Sequence, residues 1–226
     1  MTIRHHIADD TLMAYVGGTL APSLSVAVAT HLAICPRCRD SVAMMEEVAS
    51  LYLEETEPLS HSEKDKDAAL LDQIMATPRT ETAEQGAVSS LAGPAIGSVP
   101  RPLADYMPVP LDQVPWKRLV PGISHYPLPQ PGGKRKGSAL RLLKIAPGTR
   151  IPEHSHSGQE LTLILEGSYI DEIGRFQKGD IADLDNEIHH QPVADTDQDC
   201  ICLIATDGPL KFSGIFSRLL QPIIGI

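Results

Sequence analysis

The stretch GTRIPEHSHSGQELTLILEG, residues 148–167, decides how the C-terminal half is read. Side chains two residues apart on an extended strand share a face, so His154 and His156 aim both imidazoles at one point. A short polar gap follows, and Glu160 then opens a strongly apolar run, ELTLILE, that reads as a second strand. In a closed sheet the shared point lies inside the barrel, where two imidazoles and a carboxylate would meet one metal ion.

The spacing of that stretch, Gly, five residues, His-x-His, three residues, Glu, six residues, Gly, resembles the first motif of the cupin family. A second cupin motif begins at a strand-turn glycine and brings a further histidine eleven residues later, and counting from Gly179 arrives at His190. Its neighbour His189 would face the opposite way, so only one of the two can enter the barrel. Asp185, Glu187 and Ala194 replace the Pro, Gly and Asn usual in that motif, which bears on the loop more than on the ligands. A set of His154, His156, Glu160 and His190 suits zinc, manganese, iron or nickel. Cys200 and Cys202, in DCICLIATD, share a strand face with Ile204 and are expected to pack in the core.

Around these motifs the texture is uniform: SALRLLKI, GSYIDEIG, GDIADL and CICLIATD are short apolar runs broken by Gly and Pro, the pattern of a small all-β barrel or jelly roll. Upstream, residues 77–110 turn rich in Pro, Gly, Ala and Ser and read as a flexible linker. Before the linker, helical periodicity takes over. Residues 9–20 predict a first helix ending at Gly17-Gly18, and Ser23 caps a largely apolar second one that ends near Cys35. Pro36 suits the first position of a third helix running through Leu51. A fourth, polar segment from Ser62 to Thr77 carries Leu70, Leu71, Ile74 and Met75 as a narrow apolar stripe, a docking face or a minor core contribution.

The segment THLAICPRCRD, residues 30–40, holds the other chemistry. His31 lies one helical turn before Cys35, and the turn at Pro36 brings Cys38 back toward the same point. A structural zinc site takes four such donors, and the fourth candidate is a histidine at the N-terminus, His5 or His6. A thioredoxin-like redox pair would follow a strand of a βαβ unit, and no such strand precedes Cys35.

Charge narrows the partners. The net formal charge of −10 argues against a surface that binds the phosphate backbone, which needs clustered Lys and Arg. Residues 1–76 hold five basic against twelve acidic side chains, so a basic protein partner is expected at that end. The N-terminus has no apolar signal region and no stretch approaches the length of a membrane span, so neither membrane nor export is expected and the cytoplasm is the expected location.

His6, His31, Cys35 and Cys38, set in MTIRHH and VATHLAICPRCR, resemble the motif of the zinc-binding anti-sigma domain of ChrR-type anti-sigma factors, and the order of helical and cupin parts is also theirs. The resemblance implies that His6 rather than His5 is the fourth ligand. It implies a two-domain chain: an all-α, four-helix zinc-binding anti-sigma domain at residues 1–76, the linker at 77–110, and an all-β, metal-binding cupin sensor at 111–226. The expected function is one-to-one sequestration of an extracytoplasmic-function sigma factor, released on oxidative, singlet-oxygen-type stress, with no catalysis. Zinc is implied in both sites. The competing expectation from the residues is a cupin dioxygenase or isomerase with an accessory zinc module, since a three-His, one-Glu site leaves coordination positions open.

Overall fold

The structure is a computed structural model that describes residues 2–57, 64–77, 99–133, 137–152, 154–184 and 190–212, without the side chains of 64–67, 154–156 and 210–212. Five helices are described, α1 (Asp9–Val16), α2 (Pro22–Leu32), α3 (Pro36–Glu55), α4 (Lys64–Ala76) and the single turn α5 (Arg101–Ala104). The strands are β1 (Lys117–Val120), β2 (Ile123–Pro127), β3 (Ala139–Ile145), β4 (His154–His156), β5 (Glu160–Glu166), β6 (Ser168–Ile170), β7 (Arg175–Gln177), β8 (Ile181–Leu184), β9 (Val193–Ala194), β10 (Cys200–Thr206) and β11 (Leu210–Phe212). The four helices and five principal strands expected from periodicity are all present, which gives a helical N-terminal part and a cupin-like β C-terminal part.

An antiparallel sheet ordered β1-β2-β3-β10-β5-β8 forms one wall, with β7-β6-β9 and β11-β4 as smaller sheets. The wall is buried on both faces. Leu143, Ile145, Ile164, Cys200, Cys202, Ala182 and Leu184 point inward and pack with Tyr169 and Phe176. Leu140, Leu142, Leu161, Leu163, Ile201, Leu203 and Ala205 point outward into a second core that includes Leu24, Ala27 and Val28 of α2. Double-sided burial is why β5 and β10 read as continuous apolar runs instead of alternating ones.

Helix α2 lies across β10, β5 and β3 and against α5, and the Ser23 hydroxyl donates to the Thr206 carbonyl at 3.0 Å. Because it packs against the sheet on one side and other helices on the rest, α2 carries little amphipathic contrast. Leu24 is fully buried in this layer. Leu24→Ala should therefore cost about 2–5 kcal/mol of stability through lost burial and the cavity left behind, read as a lower urea midpoint at unchanged slope.

Two compact units emerge from the packing: Met1–Met45 with Ala95–Ile226, and Glu46–Pro94. The first helices thus share a unit with the barrel, a grouping different from the motif-based division at 76 and 110. The end of the segment read as linker is also structured. Val99 and Leu103 are buried and α5 starts at Arg101, because Pro100 and Pro102 pre-set a helical turn whose apolar side enters the outer core. Residues 78–98 of the expected linker, and Ser62 with its capping pattern, lie outside the described residues. Strands β1 and β2 have no counterpart among the expected runs.

The second unit contains the later turns of α3 and all of α4. Val48, Leu51, Tyr52 and Leu53 on α3 and Leu70, Leu71, Ile74 and Met75 on α4 are all exposed, the least covered, Met75, at 78%. Among the described residues no helix is long and apolar enough to cross a membrane.

Candidate metal centre

Three chain segments converge on one point. Residues 4–8 run extended into α1, α2 ends with His31 in its last turn, and α3 starts at Pro36, a residue that loses nothing at a helix start. The amides of Ile34 and Cys35 both bond the His31 carbonyl, a tight turn that folds Cys35 and Cys38 back over the end of α2. His31, Cys35 and Cys38 are buried and His6 is partly so.

The donor atoms of His6, His31, Cys35 and Cys38 all lie within 4.8 Å of one another. His6 Nδ1 is 3.3 Å from Cys35 Sγ and 3.6 Å from Cys38 Sγ, and His31 Nε2 is 3.3 Å from Cys38 Sγ. With Zn–S near 2.3 Å and Zn–N near 2.0–2.1 Å, a tetrahedral zinc separates N and S ligands by about 3.5 Å. The donor set and its spacing therefore fit zinc. His5 is occupied elsewhere: its ring stacks on Phe176 at 4.0 Å, and its Nε2 is 3.1 Å from the Arg175 carbonyl.

Without metal, burial disfavours charge on His6, His31 and Cys38. Burial, reinforced by His6, pulls the His31 imidazole down to about 4, partly offset by the Gly179 backbone and Asp180. Burial pushes the Cys38 thiol up to about 11. Burial and Arg37 lower His6 as well. A dication would replace the thiol protons and make thiolates the favoured form.

In the barrel, Glu160 begins β5 and is buried, accepting a hydrogen bond from the Thr162 hydroxyl at 3.0 Å. His190 is buried too, with Nδ1 3.1 Å from a carboxylate oxygen of the fully buried Asp171 side chain. A carboxylate only accepts, so the contact suits a proton on Nδ1 and would leave Nε2 as the ligating atom, the usual carboxylate support of a metal-binding histidine. The backbones of His154 and His156 form β4, paired with β11. Their side chains, and His189, Asp185 and Glu187, lie outside the described residues.

Two groups near this site carry no sequence signal. Arg141 of β3 is buried, its Nη1 donating to His125 Nδ1 at 3.4 Å. Burial lowers its proton affinity and the charge of Glu160 restores part of it. Asp171 is likewise indistinguishable, in sequence, from a surface loop acid. Cys200 and Cys202 are core residues: burial pushes Cys200 up to about 12 and Cys202 well above the ordinary thiol range. Both should resist a thiol-modifying reagent such as iodoacetamide in the folded, metal-loaded chain and react on unfolding, as peptide mapping would show.

Known proteins share this layout. The family described as ChrR Cupin-like domain matches residues 105–210, and a zinc-finger family matches residues 6–39, the segment holding the cluster. Anti-sigma-E factor ChrR of Cereibacter sphaeroides is 41% identical over 226 residues, covering 100% of each chain. The crystal structure of Rhodobacter sphaeroides SigE in complex with the anti-sigma ChrR matches with a TM-score of 0.72 at 41% identity, over 91% of this chain and 100% of that one. A zinc-finger segment and a cupin-like segment in the same order, with identity sustained from end to end, establish that the chain belongs to the ChrR family of anti-sigma factors.

Proposed function

We propose that this chain is a cytoplasmic anti-sigma factor that holds one extracytoplasmic-function sigma factor in a one-to-one complex and releases it on oxidative, singlet-oxygen-type stress. The carrying observation is the row of exposed apolar residues on α3 and α4, Leu51, Tyr52, Leu53, Leu70, Leu71, Ile74 and Met75, in an acidic segment. Large apolar side chains left in water along two helices are the chemistry of a protein partner's binding face, and the surrounding acids favour a basic one. The SigE complex of the similar ChrR supports the same reading.

In this account residues 1–76 grip the sigma factor, His6, His31, Cys35 and Cys38 hold a structural zinc, residues 77–110 tether the parts, and residues 111–226 sense the signal. His154, His156, Glu160 and His190 hold zinc, or manganese, iron or nickel, in the barrel. The chain regulates transcription without catalysing a reaction, touching neither nucleic acid nor membrane. A release mechanism requires that the resting and the stressed barrel differ in their free energy of coupling to sigma binding. In a run-off transcription assay with the cognate sigma factor and RNA polymerase, the full chain should abolish transcript, and illumination with a singlet-oxygen sensitiser should restore it. Repression that persists unchanged under illumination would contradict the stress assignment, and absence of repression the anti-sigma assignment.

A further inference from the structure

The N-terminal segment that carries His6 is held by the barrel. Asp180, fully buried in the turn before β8, accepts the amides of Arg4 at 2.6 Å and His5 at 3.1 Å on one carboxylate oxygen. Its other oxygen accepts the Gln177 amide at 2.9 Å, closing the β7–β8 turn. Gly179, at φ +90°, provides the left-handed step that the turn needs. Three residues on, Asp183 accepts the Ala8 amide at 3.1 Å. The Ile181 amide reaches the His5 carbonyl at 3.4 Å, and the Gln177 side chain donates to the Thr2 carbonyl at 3.1 Å. The His5 ring lies on Phe176 of β7, which in turn stacks on Tyr169 at 5.0 Å. Residues 2–8 therefore run past β7, the β7–β8 turn and β8, with His6 between two carboxylate anchors.

We propose that the β7–β8 turn of the barrel is the outer shell of the N-terminal zinc site, with Asp180 as the positioning residue that holds His6 in ligating position. His31 and Cys38 lie on α2 and α3 and Cys35 in the turn between them, whereas His6 belongs to a segment with no helix or ladder of its own. Its placement is supplied by Asp180 and Asp183. Groups that orient a ligand typically change metal affinity by about 10–100-fold when removed. In sequence the same turn precedes β8 and the segment that leads to His190. By linkage, bound zinc steadies the β7–β8 turn in return.

This rests on zinc occupying the cluster, and the test separates the two. Zinc is counted in the full-length chain, then its release to a chromogenic chelator is timed in wild type, Asp180→Ala and Arg4→Pro. Arg4→Pro deletes the 2.6 Å donor without altering a barrel residue, and so reports even if Asp180→Ala misfolds. Both variants should release the N-terminal zinc at least about tenfold faster. Hydrogen exchange at the Ile181 amide should rise when zinc is stripped from wild type, a response that a purely structural Asp180 would not produce. Wild-type chain with no zinc in the cluster overturns the zinc assignment. Zinc present, with release unchanged in the variants and Ile181 exchange indifferent to metal, overturns the positioning role.

Discussion

A Cys38→Ala chain should purify without its N-terminal zinc and lose at least about a hundredfold in affinity for the sigma factor. Cys38 lies within bonding distance, through a metal, of both His6 and His31, so its loss leaves two histidines and one thiol from three separate segments. Structural zinc contributes on the order of 10–16 kcal/mol to folding of isolated zinc-finger peptides, and removing one ligand forfeits most of it. Here α2 is also braced by the sheet, so the effect should concentrate on the α2–α3 turn and on the direction in which α3 leaves it. Metal analysis by mass spectrometry and calorimetric titration read the two losses. The same residues set the sign of the pH dependence. The Cys38 thiol, pushed up to about 11, is protonated at neutral pH and must surrender its proton to bind zinc. His31, pulled down to about 4, has no proton to surrender there. Zinc affinity should therefore fall as pH is lowered, with the Cys38 thiol contributing to the slope and His31 joining only near pH 4.

Placing charge on the α4 stripe should separate binding from folding. Leu71 and Ile74 are 59% and 61% exposed, so Leu71→Asp with Ile74→Asp removes little from any core and should leave zinc content and melting temperature unchanged. If the stripe is the grip, two anchors at a desolvated contact are worth about 2 kcal/mol or more each, and the buried carboxylates add a further penalty. Affinity should drop at least about a hundredfold, measured by anisotropy of a labelled sigma factor. Unchanged affinity would move the binding face off α4.

The elements legible in the sequence are those whose physics is local. Apolar runs mark β3, β5 and β10, and helix-turn spacing gathers His31, Cys35 and Cys38. His5 and His6 are neighbours in an irregular segment, so periodicity has nothing to say between them. The choice becomes physical only once Phe176, far along the chain, takes the His5 ring. His190 is buried, whereas His189 lies outside the described residues. Strands β1 and β2 escape a sequence reading because WKRLVPGISHYP is polar, interrupted by Pro121 and near the sheet edge, where alternation is weak. Residues 99–104 read as linker because their prolines match linker composition, although Val99 and Leu103 fill the outer core. Helix α2 is legible as apolar but not as the layer across β10. Asp171 and Asp180 act through partners 19 and 175 residues away, separations that leave no pattern to read.

The sigma-factor complex is tested by co-expressing the full chain with each extracytoplasmic-function sigma factor of its genome and weighing the product by light scattering. A one-to-one complex with one partner, carrying zinc and dissociating when Cys38 is replaced, is the predicted result. A chain that holds its zinc, is folded, and forms no complex with any of those sigma factors would contradict it.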